Sequence, residues 1–120
     1  MEIRLAEGRA DAHFKGLTLQ TGGNATPSPF DLFIASLGTC AALTAKGYCK
    51  SRNLNCEGMQ ILIDLERDSD TRLASKIKME LVLPEDFPAE HRDRLVKAAG
   101  ACFVKKDLYQ QPEFEMTIRE

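Results

Sequence analysis

An uncharged segment, residues 32–45, constrains the fold of this chain more than any other feature. Just before it, Ser28, Pro29 and Asp31 form a helix-start pattern, because serine caps a helix, proline fits its first position and an acidic residue three places on completes the cap. We therefore predict a helix over residues 29–51. Such a helix is apolar on nearly every side, which in a soluble protein means that it is buried among other elements.

Alternating apolar and polar residues predict strands on both sides of this central helix. We expect a hairpin from residues 2–7 and 12–20 with a turn at 8–11, an antiparallel pair from residues 57–67 and 73–83, a second helix over 88–101, a short helix over 103–109, and a closing strand over 114–118. The sequence has no internal repeat and no linker. These elements predict a single α+β domain that spans residues 1–120.

The charge balance argues against nucleic acid as a partner. The chain has a formal net charge of −2 and no basic block, and a phosphate backbone requires clustered lysine and arginine. A KH-like RNA-binding module is a further alternative, but the G-x-x-G loop of such modules is missing. The start of the chain lacks an apolar signal core, and the longest uncharged run is shorter than the roughly 20 residues that span a bilayer. We expect a cytoplasmic protein with no membrane partner.

The four cysteines, Cys40, Cys49, Cys56 and Cys102, are expected to be reduced thiols in that compartment. No two of these cysteines form a C-x-x-C pair. The two histidines, His13 and His91, lie in unrelated segments, His13 on a strand and His91 on a helix face, and we expect both to be exposed to solvent. We therefore expect no zinc site and no cofactor. Buried free cysteine is common as a small apolar residue, and this is the interpretation we give Cys49 and Cys56.

Two cysteine segments suggest a family. The segment from Pro27 to Cys40, PSPFDLFIASLGTC, resembles the first cysteine motif of the OsmC/Ohr family, in which an apolar helix led by proline carries a reactive thiol. The segment Cys102-Phe103-Val104, which follows the second predicted helix, is similar to that family's Cys-x-Val motif. The order of the predicted elements agrees with the family over nearly the whole chain.

The resemblance implies an OsmC-like fold, an intertwined homodimer in which antiparallel sheets wrap two central helices. It also implies the reduction of organic or inorganic hydroperoxides in antioxidant defence, with Cys40 as the peroxidatic and Cys102 as the resolving cysteine. An external dithiol would restore both thiols, and neither a metal nor a cofactor is needed. A buried thiol must first be ionised by a cation, a helix N-terminus or a hydrogen-bond donor. Cys40 lies in the middle of its own helix, whose dipole cannot do this.

In the related peroxidases an arginine of the N-terminal hairpin, oriented by a glutamate, activates the thiol. Here Arg9, predicted in a turn, is the candidate, with Arg4 as the alternative. Phe30 stands where the family has the glutamate, so Asp31 either orients the arginine or only caps the helix. This departure supports a second hypothesis, a weakly reactive or non-catalytic relative that binds a small hydrophobic or sulfur-containing molecule at the dimer interface.

Lys105 and Lys106 follow Cys102 closely in the sequence. We expect them to face water, and the alternative is that one of them assists the ionisation of Cys102.

Overall fold

The computed structural model describes residues 1–119 and separates into two compact units, one from Met1 to Ser36 and one from Leu37 onward. The long helix α1, Pro29–Ser51, begins in the first unit and continues into the second. Its bounds match the prediction. The mixture of helices and antiparallel sheets confirms the α+β class.

The first unit contains a three-stranded antiparallel sheet in the order β1-β2-β3. Its strands are β1, Glu2–Ala6; β2, Arg9–Phe14; and β3, Leu17–Thr21. The prediction of two strands was wrong here, because Lys15 and Gly16 both adopt positive φ, 49° and 73°, and two such residues form the tight turn that reverses a hairpin. Arg9 was also misplaced by the prediction: it opens β2 and pairs with Ala6.

The start of α1 has the reciprocal cap that the sequence predicts. The backbone N–H of Ser28 donates to Oδ2 of Asp31 at 2.8 Å, and the N–H of Asp31 donates to Oγ of Ser28 at 3.1 Å. These bonds satisfy N–H groups that have no partner within the helix. They fix where α1 begins, and hence where along it Cys40 lies.

In the second unit, β4, Gln60–Arg67, and β5, Ala74–Val82, pair as the predicted antiparallel ribbon. Helix α1 approaches this ribbon closely at Gly38. A Cβ added to Gly38 would lie 2.6 Å from Cδ1 of Ile63, so the missing side chain allows helix and strand to pack. The predicted strand over residues 57–67 starts later than expected, because Glu57 and Gly58 form a turn and Gly58 has a φ of 81°.

The core of the second unit lies between α1 and the helix α2, Arg92–Gly100. Its buried members are Ala45, Cys49, Phe87, Leu95 and Ala99. A short 3₁₀ turn, Ala89–His91, precedes α2, so the predicted helix over residues 88–101 becomes a 3₁₀ turn followed by an α-helix. Burial of these apolar side chains fixes α2 against α1.

Helix α3, Phe103–Tyr109, follows as predicted, and Cys102 occupies its N-cap position. The predicted closing strand over residues 114–118 is not formed within the described part of the chain. Phe114, Met116 and Ile118 are each at least 90% exposed there. Their alternation is a strand pattern, but a strand needs a neighbour whose backbone completes its hydrogen bonds.

Candidate functional site

The structure brings Cys40 and Cys102 together. Cys40 is half-buried on α1, and Cys102 is buried between α2 and α3. The thiol of Cys102 donates a hydrogen bond to the sulfur of Cys40. Two sulfurs 62 positions apart in the sequence (102 minus 40) thus become neighbours.

The first turn of α3 supplies the main hydrogen-bond donors to Cys40. The backbone N–H of Val104 acts most strongly and lowers the pKa of the Cys40 thiol. Partial burial raises this pKa, but the hydrogen bonds from Cys102 and from the backbone N–H of Phe103 act with Val104 to keep it below the ordinary value. Backbone N–H groups at the start of a helix have no partner within that helix, so they are free to stabilise a thiolate.

Thr44 is a further neighbour, one helical turn after Cys40 on α1. Its hydroxyl donates to the backbone carbonyl of Cys40 at 2.8 Å, and its side chain also contributes to lowering the Cys40 pKa. Spacing i to i+4 places two side chains on the same helix face. This spacing is the signal in the sequence from which Thr44 could have been found.

The groups that lower the Cys40 pKa are neutral donors, whereas the sequence argument looked first for a cation. The dipole of α1 cannot ionise a thiol in the middle of that helix, but the N-terminus of a second helix can. The signal was present, because a short helix was predicted directly after Cys102. If Cys102 meets Cys40, the first N–H groups of that helix reach Cys40 as well.

The guanidinium of Arg9 is paired with Asp11. Nε and Nη2 of Arg9 donate to the two carboxylate oxygens of Asp11 at 2.9 and 3.2 Å, and Asp11 is buried. Two parallel bonds of this kind hold an arginine in a fixed orientation. Asp11, not Asp31, is therefore the acid that orients Arg9, and Asp31 serves the N-terminal cap of α1. The activation of Cys40 by Arg9 stays a prediction.

Arg4, the alternative arginine, pairs with Glu2 on the exposed surface of β1. Phe30, at the position where the resemblance expects an acid, packs against Phe33 with ring centroids 5.6 Å apart. The first turn of α1 is thus aromatic at this position.

Cys49 and Cys56 form a disulfide. The expectation of four free thiols was therefore wrong for this pair. Cys49 lies in the last turns of α1 and Cys56 in the loop before β4. The loop returns the chain to the end of α1, which spacing in the sequence does not reveal because no motif marks it.

The remaining candidates have structural partners. Nδ1 of His13 lies 3.1 Å from Oγ1 of Thr18, and Nδ1 of His91 lies 3.0 Å from the hydroxyl of Tyr48. Both histidines are partly exposed to solvent, and each has a hydroxyl group as its partner.

Of the two lysines after Cys102, Lys105 contacts the end of α2 and Lys106 has a contact within α3. Nζ of Lys105 donates to the carbonyl of Gly100 at 2.9 Å, and Nζ of Lys106 lies 5.1 Å from the ring centroid of Phe103. Among residues 1–119, no group of three histidine, cysteine or acidic side chains could hold a metal ion.

A family model for OsmC-like protein matches residues 22–117. The chain belongs to the OsmC-like family. No curated protein matches this OsmC-like chain. By length and composition α1 could cross a membrane, a test that the core helix of a soluble protein also passes.

Several solved structures share the OsmC-like fold. A putative osmotic stress induced and detoxification response protein from Psychrobacter arcticus 273-4 superposes with a TM-score of 0.75 at 16% identity, covering 88% of this chain and 85% of that one. An OsmC-like hydroperoxide resistance protein from Jannaschia sp. CCS1 has a TM-score of 0.59 at 20% identity, over 98% and 89%. The organic hydroperoxide resistance protein OhrB of Bacillus subtilis has a TM-score of 0.58 at 19% identity, over 92% and 89%.

Proposed function

We propose that this protein reduces hydroperoxides with a two-cysteine mechanism. The observation that carries the proposal is the contact between Cys40 and Cys102 at the start of α3, where backbone donors lower the pKa of Cys40. A thiolate is the nucleophilic form of cysteine, and a neighbouring thiol is what the second step requires. The hydroperoxide resistance of the two similar proteins named above agrees with this proposal.

In the first step the Cys40 thiolate attacks the O–O bond of the hydroperoxide. An S–O bond forms, the O–O bond breaks, and the alcohol leaves after taking up a proton, so that Cys40 becomes a sulfenic acid. The Cys102 thiol then loses its proton as its sulfur attacks the sulfur of Cys40, and the S–O bond breaks. The hydroxyl group takes up that proton and leaves as water, and the disulfide forms. An external dithiol reduces this disulfide by two successive thiol exchanges and is itself oxidised.

Partial burial of Cys40 and complete burial of Cys102 support these roles. The more accessible sulfur meets the substrate. Because Cys102 is buried, only the oxidised sulfur of Cys40 reaches it, and this burial protects Cys102 from overoxidation.

We propose that the active form is a homodimer, with sheets of both chains around the central helices. Large apolar side chains stand exposed at both ends of the chain: Ile3 and Leu5 on β1, and Phe114, Met116 and Ile118 near the C-terminus. Exposed apolar patches of this kind are typical of interaction surfaces. Light scattering should give twice the protomer mass, and a monomer at micromolar concentration would contradict this assembly. We expect the dimer to be cytoplasmic.

Peroxide consumption in the presence of a dithiol tests the activity. Wild type should consume cumene hydroperoxide, and Cys40→Ser should consume none. Cys102→Ser should accumulate a sulfenic acid on Cys40 that dimedone traps. Consumption that persists in Cys40→Ser would refute the mechanism.

A matched pair of variants tests whether Arg9 activates Cys40. Arg9→Ala should slow consumption, whereas Arg4→Ala should leave the rate unchanged because Arg4 is held on the surface by Glu2. Equal rates for both variants would remove Arg9 from the mechanism.

The contact of Phe30 with Phe33 favours the second candidate, a protein that binds a small hydrophobic or sulfur-containing molecule. An apolar cavity of about 190 Å³ in the second unit, lined among others by Ala41, Met79 and Ala99, has a size that fits only a small molecule. If Cys40 and Cys102 both stay free after exposure to hydroperoxide, the binding function replaces the peroxidase.

A further inference from the structure

The disulfide between Cys49 and Cys56 lies apart from the site of Cys40. Cys40 and Cys49 are nine positions apart on α1, which at 1.5 Å per residue is about 13 Å along the helix axis. Cys49 is buried, and Cys56 is half-buried in the loop that leads to β4. The peroxidase mechanism proposed above uses neither sulfur.

We propose that Cys49 and Cys56 form a second thiol–disulfide couple, which oxidises anionic low-molecular-weight thiols that bind in the groove beside it. The two cysteines line an open groove of about 620 Å³ in the second unit. Cys49 is buried in the core, but Cys56 is only half-buried, so a dissolved thiol in the groove can approach the bridge from the side of Cys56.

The charges around the groove select the ligand. Lys46 and Lys50 lie one turn apart on α1 and line the groove with a single carboxylate, that of Glu57. The remaining lining is mainly apolar and includes Leu43, Leu54 and Met59. Two ammonium groups against one carboxylate attract an anion, and the apolar wall accommodates a short carbon chain. An anionic thiol combines both features.

Backbone hydrogen bonds also shape the loop that carries the disulfide. The backbone N–H groups of Arg52 and Leu54 donate to the carbonyl of Cys49 at 3.1 and 2.9 Å, and the N–H of Met59 donates to the carbonyl of Cys56 at 3.1 Å. These bonds form the turn that ends α1 and a second turn that begins at Cys56, and neither turn uses a sulfur atom. The reduced form is thus a dithiol already arranged to close again.

The bridge stabilises the fold through chain entropy as disulfides generally do, although it closes a loop with a sequence separation of only 7. A structural bridge would be more effective across a longer loop.

The exchange runs in two balanced steps. The thiolate of the ligand attacks Sγ of Cys56, the more accessible sulfur, so that a mixed disulfide forms and the protein S–S bond breaks with its electron pair on Cys49. Cys49 takes up a proton from water, and Lys46 and Lys50 stabilise the negative charge as it develops. A second ligand thiolate then attacks the ligand sulfur of the mixed disulfide and releases Cys56 as a thiolate, which also takes up a proton from water. Two ligand thiols are oxidised to one disulfide, and the protein disulfide is reduced to two thiols.

Rates of reduction with two small thiols of opposite charge test this proposal. Native oxidised protein is mixed with 2-mercaptoethanesulfonate or with cysteamine, quenched by alkylation, and analysed by peptide mass mapping, which separates Cys49 and Cys56 from Cys40 and Cys102. Per thiolate, the anionic thiol should reduce Cys49–Cys56 about tenfold faster than the cationic one. The double variant Lys46→Gln, Lys50→Gln should lose this preference. A matched control, Lys76→Gln with Lys97→Gln, removes two exposed lysines outside the groove and should keep it.

Three results would overturn the proposal. Reduction of the pair only in denaturant would make it a structural bridge, and equal rates for the two thiols would remove the anion site. A rate that falls as the protein concentration rises would mean that a second copy of the chain covers the groove. All three readouts concern Cys49 and Cys56 alone, so they are independent of whether Cys40 reduces peroxide.

Discussion

Replacing Phe103 by proline tests whether the start of α3 ionises Cys40. Proline removes the backbone N–H that donates to Cys40. The site tolerates this change, because Phe103 is the first residue of α3 and Cys102 before it is extended, with a ψ of 153°. The first hydrogen bond of the helix, from the N–H of Lys106 to the carbonyl of Cys102, remains.

The expected loss is about one hydrogen bond to a charged sulfur. Such bonds contribute about 1.5–3 kcal/mol, and we expect about 1 kcal/mol here because Cys40 is half-exposed and Val104 is the stronger donor. That energy is a factor of about five in the thiolate fraction. At pH 7 the alkylation of Cys40 by iodoacetamide, followed by peptide mapping, should slow by about this factor.

Phe103→Ala is the matched control for this experiment. It removes the same ring, which is 75% exposed and contacts Lys106, but it keeps the N–H. Alkylation in Phe103→Ala should proceed at the wild-type rate. If the proline and alanine variants react equally fast, the backbone of α3 does not activate Cys40.

Three further outcomes are expected. Because the folded pKa of Cys40 is lowered, its contribution to stability is present above the unfolded thiol pKa of about 8.5 and is lost as the pH falls through the folded pKa. Wild type should therefore gain stability over Cys40→Ala as the pH rises toward the unfolded thiol pKa of about 8.5 in urea titrations, and a constant difference would refute this. Gly38→Ala should change the free energy of unfolding little. Alanine favours the helix over glycine by about 1 kcal/mol, and this gain offsets the cost of displacing Cδ1 of Ile63. Gly38→Ala should become stabilising when Ile63 is also replaced by valine. If the effects of the two substitutions on the free energy of unfolding are simply additive, the contact between Gly38 and Ile63 is contradicted. Leu95→Ala should lower the free energy of unfolding by about 3 kcal/mol, because the side chain of Leu95 is fully buried. Val96→Ala, at an exposed position, should lower it little. Similar values for the two variants would mean that the core lies elsewhere.

Local signals predicted the long helix and the ribbon. The cap of Ser28 with Asp31 and the alternation along β4 and β5 are properties of neighbouring residues, and the structure confirms both. The split between β2 and β3 was missed because Lys15 carries no turn preference strong enough to show in the pattern, although Gly16 beside it does.

Features that depend on distant parts of the chain could not be predicted in the same way. The two cysteine motifs indicated that Cys40 and Cys102 act together, but not that the backbone N–H of Val104 donates to Cys40. The bond of Cys49 to Cys56 depends on how a loop returns to α1. The alternation of residues 114–118 predicts a strand whose neighbour the described chain does not provide.

Peptide mapping after one equivalent of peroxide tests directly whether Cys40 and Cys102 react as a pair. Reduced protein is mixed with one equivalent of cumene hydroperoxide, alkylated within seconds and digested for mass spectrometry. We expect two peptides joined by a disulfide between Cys40 and Cys102, with the loss of two thiols for each peroxide consumed. Recovery of Cys40 and Cys102 as separate alkylated peptides after the peroxide is gone would contradict it.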